Sequence, residues 1–197
     1  CEKDVFELDE TREIFQTARD LGFPLKLHAD EFENLGGASL GAEFGAASVD
    51  HLVKTSLEDI QRMAKSETVA VSLPGTPFGL AQSEYSPARD MIAANAYLAL
   101  ATDLNPGTTW NESMQFMQAL ATRYMKLTPS QALAASTINS AKAVLRDATV
   151  GSIEAGKQAD LLILSVPDYR ILTYRYGTNM VAKVVKKGKL YPQDPQE

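Results

Sequence analysis

Cysteine occurs once in the 197 residues and histidine twice. A lone Cys1 cannot close an intramolecular disulfide, so a disulfide-stapled fold is excluded, and the usage fits a reducing, cytoplasmic setting. The same count excludes a thiolate-rich metal site. Positive charge is in deficit, with 19 Lys and Arg against 25 Asp and Glu and a net charge of −6. No nucleic-acid partner is expected, because such a partner needs basic residues gathered to meet phosphates. Long apolar runs are missing too. The longest nearly uncharged stretch, Val69 to Ser83, is interrupted by Pro74, Gly75, Pro77 and Gly79. That spacing of breakers predicts no membrane-spanning helix and no membrane partner. The start has no initiator Met, basic region or apolar leader, and Cys1 to Phe6 run straight into an amphipathic segment. It reads as a chain entered partway.

What is present is a globular composition, 45% hydrophobic and 22% charged, from which a buried core is expected. Short apolar runs alternate with helical patterns, the mark of βα units on a parallel sheet. Asp9 is the expected cap of a helix whose Ile14, Phe15 and Ala18 form an apolar face, ended by Gly22 and Pro24 before a strand at Leu25 to Leu27. A small-residue helix over Ala38 to Ala47 and a short strand at Val49 follow. Thr55 with Glu58 fits a capping box opening a helix to Lys65, ahead of a strand at Thr68 to Leu73. Pro74 to Pro77 is a loop by turn chemistry, Ala88 to Ala96 is helical, and Leu98 to Ala101 is a fourth buried strand. Helices are then expected over Asn111 to Met125 and, from the capping box Thr128 to Gln131 with Pro129 at its first position, on to about Leu145. After Ala148, glycines punctuate strands at Leu161 to Val166 and Val181 to Lys187, a small all-β element with Lys183, Lys186, Lys187 and Lys189 on a solvated edge.

Both histidines sit where an apolar strand gives way to polar residues, in Leu27-His28-Ala29-Asp30-Glu31 and Val49-Asp50-His51. Parallel α/β folds place their sites at such strand ends. Either histidine alone is read more simply as a hydrogen-bonded structural residue. With Asp103, which follows the fourth strand, three potential metal ligands come from three strand ends. Imidazole and carboxylate suit zinc or iron, yet a catalytic zinc takes three or more protein ligands, so the set is short. Glu31 is within reach of such a site as a general base, or is a capping or surface acid, and Asp30 carries the same two readings. Asn105, Gly107 and Thr108 offer an amide, a free backbone and a hydroxyl for a polar substrate, or form an ordinary turn. Arg89 opens a helix and is left outside the site.

Several stretches resemble the amidohydrolases and, within them, the imidazolonepropionase family. They are Leu25 to Gly37 (LKLHADEFENLGG), Val49 to Leu52, LPGTPF from Leu73, Tyr85 to Arg89, ATDLNPG from Ala101, and GSIEAGKQADLLIL from Gly151. The last is general to amidohydrolases, whereas LPGTPF with TDLNPG is narrower. The resemblance implies an α/β fold in which residues 1–148 are the C-terminal half of a TIM-like (β/α)₈ barrel, about its fifth to eighth strands. Residues 149–197 would be part of a small β-sandwich. It implies metal-dependent hydrolysis of the ring amide of 4-imidazolone-5-propanoate to N-formimidoyl-L-glutamate, in histidine degradation, by a cytoplasmic homodimer. His28 and Asp103 match metal ligands for one divalent zinc or iron, and His51 matches a catalytic histidine. Glu31 matches the acid that contacts substrate and activates water, and Asn105, Gly107 and Thr108 match substrate-holding positions. The family's early His-x-His metal pair and its substrate-gripping Arg, Tyr and His have no counterpart in this sequence, so the N-terminal half of the enzyme is an implied partner. Other cyclic-amide hydrolysis, nucleobase deamination, and a non-catalytic α/β fragment with structural histidines are the alternatives.

Overall fold

The computed structural model describes residues 1–192. Four strands, β1 (Lys26–Ala29), β2 (Ser48–His51), β3 (Val69–Ser72) and β4 (Leu98–Leu100), pair in chain order, each parallel to the next. Helices α1 (Leu8–Asp20), α2 (Gly37–Phe44), α3 (Leu57–Met63), α4 (Gly75–Gly79) and α5 (Ala88–Ala93) precede or connect them. Then come α6 (Met114–Tyr124), α7 (Pro129–Ala135) and α8 (Ile138–Ala143). The remaining described residues form β5 (Leu161–Leu164), α9 (Ile171–Tyr174), β6 (Val181–Lys186) and β7 (Lys189–Pro192), whose strands make an antiparallel sheet.

The sheet buries its two faces unequally. Leu27 and Val49 pack under the helical layer with Leu40, Ile60, Met63 and Met91, none more than 6% exposed. On the other face Val69, Val71, Leu73 and Ala99 cluster with Ala143 of α8. β3 is therefore buried at all four positions, as a central parallel strand should be. β1 instead alternates, with Lys26 and His28 exposed and Leu27 and Ala29 buried, so the inner face lies open at that edge. α8 covers the edge of β4, where Asn139 Nδ2 donates to the Leu98 carbonyl and Ser140 Oγ to that of Leu100, each at 2.8 Å.

Close helix-to-sheet contact depends on glycine. A Cβ on Gly41 would lie 2.2 Å from Val49 Cγ2, well inside contact distance. Val49 is fully buried and has nowhere to move. Gly41→Ala is expected to destabilise the chain by about 1–3 kcal/mol through this overpacking, even after its gain in helix propensity. Urea unfolding checks it, and a midpoint equal to wild type would show that α2 rides freely over β2.

Several expected boundaries differ in the structure. The cap of α1 is Glu7, which forms a capping box with Glu10, so the helix starts before Asp9. Ser56, not Thr55, caps α3, because its hydroxyl accepts the Asp59 N–H and one residue of register decides which side chain reaches. Pro74 to Pro77, expected as a loop, carry the first turn of α4, with the Thr76 hydroxyl held by Asp103. The expected single helix from Thr128 to Leu145 is two, because the chain leaves helical geometry at Ser136 and Thr137 so that α8 can cap β4. β7 was not expected. It pairs with β6 through Lys187 and Gly188, both at positive φ, as a two-residue hairpin turn requires. The lysine edge is partly committed, since Lys186 Nζ pairs with Asp160 Oδ2 at 2.5 Å. Among the described residues the C-terminal strands make a single sheet, and residues 193–197 lie outside the described part. No helix among the described residues is long and apolar enough to cross a membrane.

Candidate metal centre

At the C-terminal ends of β1, β2 and β4 the chain adopts a left-handed backbone at four non-glycine residues: Asp30, His51, Leu52 and Asp103, with φ of 55°, 78°, 60° and 52°. Each such residue is costly, and clusters of them mark sites where geometry is imposed by the fold. At His51 the consequence can be traced. Strand alternation would send its side chain to the same face as Val49, under the helices. The positive φ turns it back, so the imidazole meets His28 with ring centroids 4.4 Å apart.

Glu31 closes the group. Its Oε2 lies 3.6 Å from His28 Nε2 and 3.5 Å from His51 Nδ1. Asp30 holds the loop that carries it, with its buried carboxylate accepting the N–H groups of Leu35, Gly37 and Ala38. Burial, then the nearby charges of Glu2 and Asp103, push the Glu31 carboxyl up to about 7. Burial, then the neighbouring His28, lowers His51 to about 4, and burial lowers His28 as well. Both imidazoles are therefore neutral at neutral pH and keep a lone pair for a ligand.

The structure brings His28, Glu31 and His51 together, their ligand atoms all within 4.8 Å of one another. Asp103 stands next to this trio, its Oδ2 accepting the Thr76 hydroxyl at 2.7 Å, and its charge acts on all three. Asn105, Gly107 and Thr108 share a turn beside it. Asn105 Oδ1 accepts the N–H groups of Gly107 and Thr108, and its Nδ2 donates to the Asp103 carbonyl. Arg89 is exposed. Glu2 was not singled out by sequence, where it is one acid among 25. It is buried against Glu31 and His28, and its Oε2 has no hydrogen-bond partner. Two neutral imidazoles among carboxylates, one with an unpartnered buried oxygen, are a donor set suited to a borderline divalent cation such as zinc or iron.

Comparison with known proteins agrees with this architecture. Residues 5–191 match the model of the Amidohydrolase family. This chain belongs to that family. Among its relatives, the imidazolonepropionase of Herpetosiphon aurantiacus is 55% identical over 190 residues, covering 96% of this chain and 44% of that protein. The imidazolonepropionase of Treponema denticola is 50% identical, with 96% and 46% covered. The chain thus spans less than half the length of the relatives it matches. Among solved structures, an adenosine deaminase from Xanthomonas campestris with bound zinc superposes with a TM-score of 0.78 at 23% identity, covering 92% of this chain and 48% of that one. The E. coli guanine deaminase superposes at 0.74 with 15% identity, covering 94% and 52%. These two share the amidohydrolase fold with the chain, including its parallel sheet.

Proposed function

We propose that this chain forms the part of a metal-dependent hydrolase that opens the ring amide of 4-imidazolone-5-propanoate to N-formimidoyl-L-glutamate. In this reading β1 to β4 are the fifth to eighth strands of a (β/α)₈ barrel, β5 to β7 are one layer of a small sandwich, and a preceding segment completes the site. The observation that carries it is the meeting of Glu31 with His28 and His51 at two adjacent strand ends. The names of the relatives supply the substrate.

His28 and Asp103 would hold the cation, together with ligands from the preceding segment. The cation, when bound, supplies Lewis acidity and a water acidic enough to ionise near neutral pH. Glu31, ionised, takes the proton of the attacking water as its oxygen adds to the ring carbonyl. It then returns that proton to the ring nitrogen as the C–N bond breaks, so one carboxyl serves both transfers. An acid held near 7 is matched to that double task. His51 faces the same carbonyl and stabilises its developing negative charge, a contribution of about 3 kcal/mol for a well-placed donor. Asn105 shapes the turn that presents the Gly107 backbone and the Thr108 hydroxyl to the substrate.

The test is to fuse the chain behind the N-terminal part of the Herpetosiphon relative and assay the zinc-loaded fusion. Consumption of 4-imidazolone-5-propanoate with appearance of N-formimidoyl-glutamate is the expected result. Ammonia release from a nucleobase without that consumption would replace it with the deaminase reading.

A further inference from the structure

Glu2 contributes to the centre from outside every strand end. A tight turn fixes it: Glu2 N–H donates to the Phe6 carbonyl at 2.9 Å, Val5 N–H returns to the Glu2 carbonyl at 3.2 Å, and Asp4 takes positive φ. Cys1 N donates to the His28 carbonyl at 2.5 Å, which seats this turn against β1. The Glu2 side chain is 9% exposed. Its Oε1 accepts the Glu31 backbone N–H at 2.5 Å and lies 3.5 Å from His28 Nε2, while its Oε2 is buried without a partner.

An amide would serve one N–H as well as a carboxylate does, without the desolvation cost of a second charged oxygen left unpaired. Groups behind a metal centre act through such contacts, holding a ligating or catalytic side chain in place.

We propose that Glu2 is a positioning residue of the centre: it grips the Glu31 backbone and confronts His28 Nε2, so that the ligand His28 and the acid–base Glu31 keep their places around the cation. This role rests on the metal-dependent reading given above, but not on its substrate.

The experiment titrates zinc, by competition with a chromogenic chelator, into the fusion described above and into its Glu2→Ala and Glu2→Gln variants, because the remaining ligands come from the preceding segment. Cobalt absorption reports geometry, and circular dichroism reports folding. Glu2→Ala is expected to weaken zinc binding about 10–100-fold and shift the cobalt bands, whereas Glu2→Gln, which keeps the acceptor oxygen, recovers most of the loss. Zinc affinity and cobalt bands unchanged in a folded Glu2→Ala fusion overturn the proposal. Glu2→Gln no better than Glu2→Ala also overturns it, by assigning the effect to charge and not to the grip on the N–H. A wild-type fusion that takes up no zinc overturns it too. Should Glu2→Ala fail to fold, Glu2→Asp carries the test: it keeps the charge but falls short by one methylene, and affinity equal to wild type overturns the role. Failure of the substrate reading looks different, as a zinc-loaded fusion without turnover on 4-imidazolone-5-propanoate, and leaves the zinc titrations to decide for Glu2.

Discussion

Glu31→Gln in the zinc-loaded fusion is expected to lower kcat by about 10²–10⁴-fold, the range spanned by a positioned general acid–base. Glutamine keeps the shape and the hydrogen-bonding reach of the side chain but can neither take the water's proton nor return it to the leaving nitrogen. Zinc content and KM should stay near wild type, and turnover within a few-fold of wild type with zinc in place would remove Glu31 from this role. The metal-free chain gives a second readout, on stability. Burial raises the Glu31 carboxyl from its ordinary 4.5 to about 7. The folded state therefore holds a proton that the unfolded chain gives up, and stability falls as pH rises between these two values. Glutamine removes that liability. Glu31→Gln is expected to stabilise the metal-free chain at pH 8 by on the order of 1 kcal/mol, a rise of about 2–4 °C in Tm, and to change little at pH 4.5. Equal stability at both pH values would mean that Glu31 is solvated in solution, which contradicts its 9% exposure.

The chain by itself is expected to show no turnover of 4-imidazolone-5-propanoate, with the fusion faster by at least about 10³-fold. A catalytic zinc takes three protein ligands or more, and the resemblance places only His28 and Asp103 of that set in this sequence. Loss of supporting groups alone weakens zinc binding by about 10–100-fold, and loss of ligands by more. The inner face also stays open beside Lys26 and His28, so water is not excluded from the reacting bond. The check is a paired assay at saturating zinc. Turnover by the chain alone at a rate comparable to the fusion would show that Glu2, His28, Glu31, His51 and Asp103 suffice, in one copy or across two.

Much of the fold is legible in local chemistry. The β/α alternation gives the four parallel strands in their observed order, because buried parallel strands need short apolar runs and their crossovers need amphipathic helices. The capping box at Thr128 and Gln131 with Pro129 at the first helical position is found as expected, since a cap is an interaction over three residues. His28, His51 and Asp103 can be placed at strand ends for the same reason: a strand ends where its apolar pattern stops.

Which side chains converge is decided in three dimensions. The period of β2 points His51 toward the helices, and only the left-handed backbone at His51 and Leu52, imposed by the surrounding packing, turns it to face His28. Glu31 is indistinguishable from a surface acid in the sequence. Burial beside Glu2 and Asp103, from residues 29 positions before it and 72 after it, raises its carboxyl to about 7. Glu2 leaves no local trace, because its role lies in one contact with Glu31 N–H and one approach to His28, both set by the turn that seats residues 1–6 against β1. Patterning and capping act over a few residues and belong to the sequence, whereas desolvation and the meeting of distant charges exist only once the chain has folded.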